Sequence, residues 1–124
     1  MKETIRQHHI SLSNALNGLW WSLTTQPNFR IHFLLALVAI IMGLYVGLSP
    51  QEWTLLTFTI FWGLSGEMIN TAIEAVADLV TTEWRKEAKI AKDVSAGMML
   101  TIAIGTIVIA SLLLLPKLFV KLQL

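Results

Sequence analysis

The chain has 124 residues, of which 55% are hydrophobic and only 14% are charged, and its formal net charge is +1. Soluble domains average about 25% charged residues, so this composition and the mean hydropathy of +0.66 predict a membrane protein with a single domain over residues 1–124. The chain has no basic cluster that would favour nucleic acid as a partner. The absence of cysteine excludes disulfides, thiolate nucleophiles and zinc–thiolate sites.

The first segment, residues 4–25, has the pattern of an amphipathic helix. Leucines and Trp20 recur at helical spacing, and polar residues occupy the other faces. This pattern predicts a helix that lies in the membrane interface, with Trp20 and Trp21 at headgroup depth. A helix that packs on a soluble partner is the alternative.

Three apolar segments follow, and each is long enough to cross a membrane. Residues 31–48 would span about 27 Å as a helix. The second span is predicted over residues 50–80, and a polar loop over residues 81–93 separates it from the third span, residues 95–115. Pro116 and a short tail follow the third span.

The distribution of lysine and arginine predicts the orientation of these spans. The loop 81–93 carries four of them, the first 30 residues carry three, and the turn 49–52 carries none. By the positive-inside rule, the N-terminus and the loop 81–93 face the cytoplasm. In the turn, Ser49 and Glu52 have the spacing of a capping box that starts the second span. The predicted fold class is an all-α membrane protein with one N-terminal interfacial helix and three transmembrane helices.

An acidic stripe at the end of the second span is the most informative feature. Four polar side chains share one helical face roughly 80° wide: Glu67, Asn70, Glu74 and Asp78. Acidic residues are costly in a membrane helix and mark ion, proton or substrate sites more often than packing. With a hydrocarbon layer about 30 Å thick, Glu67 lies inside the membrane, Glu74 near its cytoplasmic boundary and Asp78 beyond it.

The stripe allows more than one chemistry. Glu67 could accept a hydroxyl proton as a general base, serve proton-coupled transport, or be a structural buried acid. Glu74 and Asp78 lie one turn apart and could share one Mg²⁺ ion, or they could pair with the cations of the loop 81–93.

The polar loop adds candidates for a nucleotide site. Lys92 could neutralise a phosphate, although lysine is also common at the cytoplasmic edge of a membrane helix. Trp84 could stack on a base or anchor the chain at the interface. The chain contains no P-loop and no protein-kinase motif, so any ATP site would use neither of them.

These residues together resemble a known family. The patterns E-x-x-N-T-A-I-E-x-x-x-D at residues 67–78, A-K-D-x-x-A at residues 91–96 and N-F-R-I-H at residues 28–32 are similar to those of the small bacterial integral-membrane lipid kinases. This family comprises the prokaryotic diacylglycerol kinases and the related undecaprenol kinases. The resemblance covers nearly the whole chain and includes the order of the interfacial helix and three spans.

The resemblance implies a homotrimer with composite active sites, which uses Mg²⁺ and ATP to phosphorylate a lipid alcohol at the cytoplasmic interface. It implies that Glu67 is the catalytic base and that Glu74 holds the metal. Thr71 favours undecaprenol as the acceptor, because diacylglycerol kinases tend to have serine there; diacylglycerol, which would give phosphatidic acid, is the alternative. The residues implied to bind ATP are Asn70, Glu74, Asp78, Glu83, Trp84, Arg85, Lys92 and Asp93.

Gln26 departs from the pattern of the family. Many members have a glutamate just before the N-F-R run, where it serves as the second metal carboxylate. An amide oxygen can still bind Mg²⁺ but brings no charge, so we expect a raised magnesium requirement. Two alternatives come from other classes: a small proton-coupled transporter that uses Glu67, and a catalytically idle membrane scaffold, which only Gln26 supports.

Overall fold

The structure is a computed structural model that describes residues 2–123, with side chains from residue 11 onward. That part of the chain is almost entirely helical, which confirms the all-α fold class. Its helices are α1 (Lys2–Thr25), α2 (Pro27–Val46), α3 (Pro50–Val80) and α4 (Lys86–Leu122).

Two of these helices, α2 and α4, are long and apolar enough to cross a membrane. Only 11% of the apolar window of each helix is buried inside the protein, whereas the core helix of a soluble protein would be mostly buried. Their apolar faces are therefore open to lipid or to another chain. The second predicted span, α3, contains the acidic stripe; its 31 residues are long enough to cross a membrane, but it is not among the helices that are also apolar enough.

The junction between α1 and α2 lies earlier than the predicted start of the first span. Gln26 has extended backbone angles (φ −98°, ψ 110°) because the following Pro27 disfavours the helical conformation there, and Pro27 then opens α2. At its other end α2 stops at Val46, and Gly47 adopts a left-handed conformation (φ 74°) that glycine tolerates without strain.

The predicted start of the second span is confirmed. Ser49 is the N-cap of α3, and its side chain accepts a hydrogen bond from the Glu52 amide, while the Glu52 carboxylate accepts one from the Ser49 amide at 2.7 Å. Pro50 occupies the first helical turn. Local sequence decides this helix start, because every partner lies within three residues.

The last helix is longer than predicted at both ends. The predicted loop over residues 81–93 was wrong from residue 86 onward, because α4 begins at Lys86. The segment that follows Lys86 is rich in helix-forming residues and contains an i, i+4 ion pair between Lys89 and Asp93. The predicted end at residue 115 was also wrong, since α4 continues through Pro116 to Leu122. A proline inside a helix removes one backbone hydrogen bond, which membrane helices tolerate.

Helices α3 and α4 pack side by side and run antiparallel, and α2 packs against both. At the end where α2 meets α3, Leu48, Leu56 and Leu114 form the buried core. Towards the other end Gly66 brings the two helices together, because a Cβ atom there would lie 2.5 Å from the Cδ1 atom of Ile102. This antiparallel packing brings the acidic stripe of α3 next to the first three turns of α4.

Candidate active site

A chain of polar side chains runs along the contact between α3 and α4. Glu67 and Ser95 are each only 2% exposed, and Asn70 is 6% exposed. The Ser95 hydroxyl donates to Asn70 Oδ1 at 2.7 Å, and Asn70 Nδ2 donates to Glu74 Oε1 at 3.2 Å. Hydrogen bonds therefore connect the buried helix contact to the exposed carboxylate of Glu74.

Glu67 is buried one turn deeper than Asn70. Among the described residues its Oε2 atom has no hydrogen-bond partner. A buried carboxylate oxygen without a partner is costly, so this atom is suited to accept a hydrogen bond from an incoming donor such as a hydroxyl group. The neighbouring Gly66 permits the close approach of α4 that buries this side chain.

A polar cavity of about 480 Å³ lies between the end of α3, the connection at residues 81–85 and the start of α4. It has acidic, basic and aromatic walls. Six of the eight residues expected to bind ATP line it: Asp78, Glu83, Trp84, Arg85, Lys92 and Asp93. The other two, Asn70 and Glu74, are not among its lining residues and lie on the helix faces that lead from it towards Glu67.

The charged groups of this cavity form exposed ion pairs. Lys92 Nζ lies 2.6 Å from Asp78 Oδ1, and Arg85 pairs with Glu83 at 3.2 Å. Lys89 pairs with Asp93. Exposed pairs of this kind contribute about 0–1 kcal/mol each, so an anionic ligand can displace the acidic partner at little cost. The structure thus brings Asp78 to Lys92. This agrees with the sequence interpretation in which the acidic stripe pairs with the cations of residues 81–93.

The donor set fits a magnesium ion that arrives with a nucleotide. Within the described residues, no group of three or more His, Asp or Glu side chains could hold a metal ion by itself. Magnesium keeps several waters and substrate phosphate oxygens and needs only one or two protein carboxylates. Glu74 has an exposed carboxylate that would meet this need. Gln26 Nε2 donates to Thr25 Oγ1 at 3.2 Å at the start of α2, and no hydrogen bond of the described part joins Gln26 to Glu74.

Ser95 lies beside the candidate site, and the sequence interpretation did not single it out. The only available signal was a serine in a segment otherwise dominated by small and apolar residues. Its hydroxyl is meaningful only through its contact with Asn70, 25 residues earlier in the chain, and that contact depends on how α4 packs against α3.

Comparison with known proteins decides what kind of protein carries this site. Residues 13–114 match the prokaryotic diacylglycerol kinase family. The chain belongs to this family. Family membership and the names of its relatives make the chain a lipid kinase, which confirms the expected enzyme class and does not favour the transporter alternative.

Three relatives illustrate the range of the similarity. An undecaprenol kinase of Bacillus subtilis is 38% identical over 108 residues, which are 87% of this chain and 88% of the relative. A diacylglycerol kinase of Synechocystis is 36% identical over 110 residues, which are 88% of this chain but 63% of that protein. A diacylglycerol kinase of Helicobacter pylori is 32% identical over 90 residues, 73% of this chain and 70% of the relative.

Proposed function

We propose that this kinase transfers the γ-phosphoryl group of ATP to undecaprenol at the cytoplasmic face of a bacterial cell membrane. The observation that carries the proposal is one face of α3 that holds buried Glu67, then the hydrogen-bonded pair Asn70 and Glu74, and then Asp78, which lines the polar cavity. Undecaprenol is favoured over diacylglycerol by the 38% identity to the Bacillus subtilis undecaprenol kinase, which extends over 88% of that protein, and by Thr71. Diacylglycerol remains the second candidate because of the other two relatives.

The proposed topology has α1 in the membrane interface and α2, α3 and α4 across the membrane. The described apolar residues of α1 support the interfacial position, since Leu12, Leu16 and Trp20 are exposed. With 31 residues, α3 is about 46 Å long, enough to cross the hydrocarbon layer and extend beyond it. The lysines and arginines of residues 81–93 favour a cytoplasmic position for the polar cavity.

In the proposed reaction Glu67 is the general base. The lipid hydroxyl donates a hydrogen bond to the Glu67 carboxylate and then transfers its proton to it. The hydroxyl oxygen attacks the γ-phosphorus in line, the bond from this phosphorus to the β,γ-bridging oxygen breaks, and ADP leaves. The protein acts mainly by positioning the two substrates and by stabilising charge.

The polar cavity would hold the nucleotide. Lys92 would exchange Asp78 for a phosphate group, because their exposed ion pair is weak. Trp84 and Arg85, with Glu83 between Trp84 and the end of α3, would form the outer wall against the nucleoside. Asp93 and Asn70 would hold the nucleotide in place through hydrogen bonds.

Glu74 would bind Mg²⁺ together with the ATP phosphates, and the amide oxygen of Gln26 would be a second, uncharged ligand. When bound, the ion neutralises negative charge on the β- and γ-phosphates. In a homotrimer with composite sites, Gln26 and Glu74 from different chains could meet. The exposed apolar side chains of α3, among them Phe58, Phe61 and Trp62, support contact with lipid or with another chain.

The test is phosphoryl transfer by the purified protein in lipid vesicles. ATP labelled at the γ-position is supplied with magnesium, and undecaprenol and diacylglycerol are offered in parallel. We expect labelled undecaprenyl phosphate, its loss in Glu67→Gln, and its retention in Glu87→Gln, a matched change on the exposed first turn of α4. Labelled phosphatidic acid alone would reverse the choice of acceptor, and no labelled lipid from either acceptor would refute the proposed reaction.

A further inference from the structure

Ser95 is buried beside the proposed site but has no part in the proposed reaction. Its 2% exposure places its hydroxyl in an apolar setting, where an unpaired hydroxyl group is costly. That cost is avoided by the hydrogen bond to Asn70 Oδ1 at 2.7 Å. Within residues 11–123, this is the one side-chain hydrogen bond that lies fully in the buried part of the contact between helices.

The Asn70 amide uses both of its polar ends. Its oxygen accepts from Ser95 and its nitrogen donates to Glu74 Oε1 at 3.2 Å. An amide rotated by half a turn would place its oxygen against the Glu74 carboxylate, where two acceptors repel each other. Glu74, which can only accept, therefore selects the orientation of the Asn70 amide, and Ser95, which can donate or accept, holds its other end. The loss of Ser95 would leave Asn70 Oδ1 buried without its donor.

The Glu74 carboxylate is exposed and is otherwise free to take several rotamers. The hydrogen bond from Asn70 holds one of its oxygens, and bonds to a charged acceptor are stronger than neutral ones. Because the two oxygens belong to one rigid carboxylate group, the same hydrogen bond also restricts the direction of the second Glu74 oxygen. A fixed carboxylate loses less conformational entropy when it binds a ligand than a mobile one.

Two polar contacts join α4 to α3 next to the cavity. Lys92 and Asp78 form the exposed one, and Ser95 and Asn70 form the buried one, a single helical turn away. If a nucleotide phosphate takes Lys92 from Asp78, the Ser95–Asn70 bond is the side-chain hydrogen bond that still joins this part of α4 to the acidic stripe among the described residues. The Ser95 hydrogen bond would therefore maintain the geometry of the stripe while the nucleotide is bound.

We propose that Ser95 is a positioning residue that acts through Asn70 to orient Glu74 for magnesium and ATP. This inference rests on the proposed function only in the role of Glu74 as the magnesium ligand. It assigns to the buried contact between Ser95 and Asn70 a task that neither the acidic stripe nor the polar cavity explains by itself.

The test measures magnesium-dependent binding of ATP to the purified protein in vesicles that contain no lipid acceptor. In Ser95→Ala we expect the magnesium concentration for half-maximal ATP binding to rise about three- to tenfold, the effect of losing one buried hydrogen bond. The amount of ATP bound at saturating magnesium should stay close to that of the unmodified protein. Ser111→Ala is the matched control, because it makes the same change on α4 about 24 Å away.

A second pair of variants separates positioning from a general effect on packing. If Ser95 acts through Asn70, adding Ser95→Ala to Asn70→Ala should cause no further rise in the magnesium requirement. If Ser95→Ala does not fold, Ser95→Cys, which keeps a weak donor of similar size, takes its place with the same expected direction.

An unchanged magnesium requirement in Ser95→Ala, an equal rise in Ser111→Ala, or a full further rise in the Asn70→Ala background would overturn the role of Ser95. Because the readout needs no lipid acceptor, failure of the unmodified protein to phosphorylate undecaprenol would count against the proposed function alone.

Discussion

Lys92 Nζ lies 2.6 Å from Asp78 Oδ1 and joins the start of α4 to the end of α3. Both side chains are well exposed, at 40% and 64%, so water screens their attraction and the pair adds little to stability. The pair instead keeps a cation at the mouth of the polar cavity, with a partner that a phosphate group can replace.

This relationship predicts that Lys92→Gln impairs nucleotide binding more than folding. We expect the KM for ATP to rise about tenfold or more, since a charged hydrogen bond to phosphate is lost, while the free energy of unfolding changes by less than about 1 kcal/mol. Steady-state kinetics and thermal unfolding in detergent measure the two effects. The control is Lys86→Gln, which removes a cation of the same segment outside the cavity, and an equal rise of KM in both variants would contradict the prediction.

The buried position of Glu67 predicts a different pattern for Glu67→Gln. Loss of a general base lowers kcat by roughly 10²–10⁴-fold, whereas ATP binding at the cavity should be retained because Glu67 does not line it. Single-turnover transfer and equilibrium ATP binding measure the two quantities. Near-normal transfer by a folded Glu67→Gln protein would rule out this base.

Gln26 predicts a dependence on magnesium that one substitution can change. Gln26→Glu restores a carboxylate where the family pattern has one, so we expect tighter magnesium binding. The magnesium concentration for half-maximal activity should therefore fall, and a higher chelator concentration should be needed to abolish activity. Magnesium titrations of phosphoryl transfer test this. Gln51→Glu adds the same charge at the exposed start of α3 and should leave the titration unchanged; an identical curve for Gln26→Glu would remove this position from the metal site.

The close approach at Gly66 predicts a loss of stability in Gly66→Ala. The added Cβ atom would lie 2.5 Å from Ile102 Cδ1, so Ile102 must move or α4 must shift, at a cost of about 1–2 kcal/mol. Thermal unfolding should show this loss, and Ile102→Val, which removes the crowded methyl group, should recover part of it in the double variant. The control Gly97→Ala has open space around its Cβ position and should be neutral or slightly stabilising; equal destabilisation by both would show that helix packing at Gly66 is not the cause.

Much of the fold follows from local sequence patterns. The capping box at Ser49 and Glu52 placed the start of α3 correctly, because its hydrogen bonds close within one turn. The helical periodicity of Glu67, Asn70, Glu74 and Asp78 likewise placed them on one face. The ends of α4 were predicted less well. Its start was missed because the hydropathy of a polar amphipathic turn resembles that of a loop. Its end was missed because Pro116 does not stop a helix that packing supports.

The sequence by itself determined the helical class, the order of the helices and the single face of α3 that carries the acidic stripe, because composition and periodicity encode them locally. Only the tertiary structure decided which of those residues meet. Ser95 reaches Asn70 across 25 residues, Lys92 reaches Asp78 across 14, and Lys117 pairs with Glu52 at 2.7 Å at the far end of the same two helices. Each contact depends on the rotation and register of α4 against α3, which are set by close packing at Gly66 and by the core around Leu56, and no local pattern contains that information.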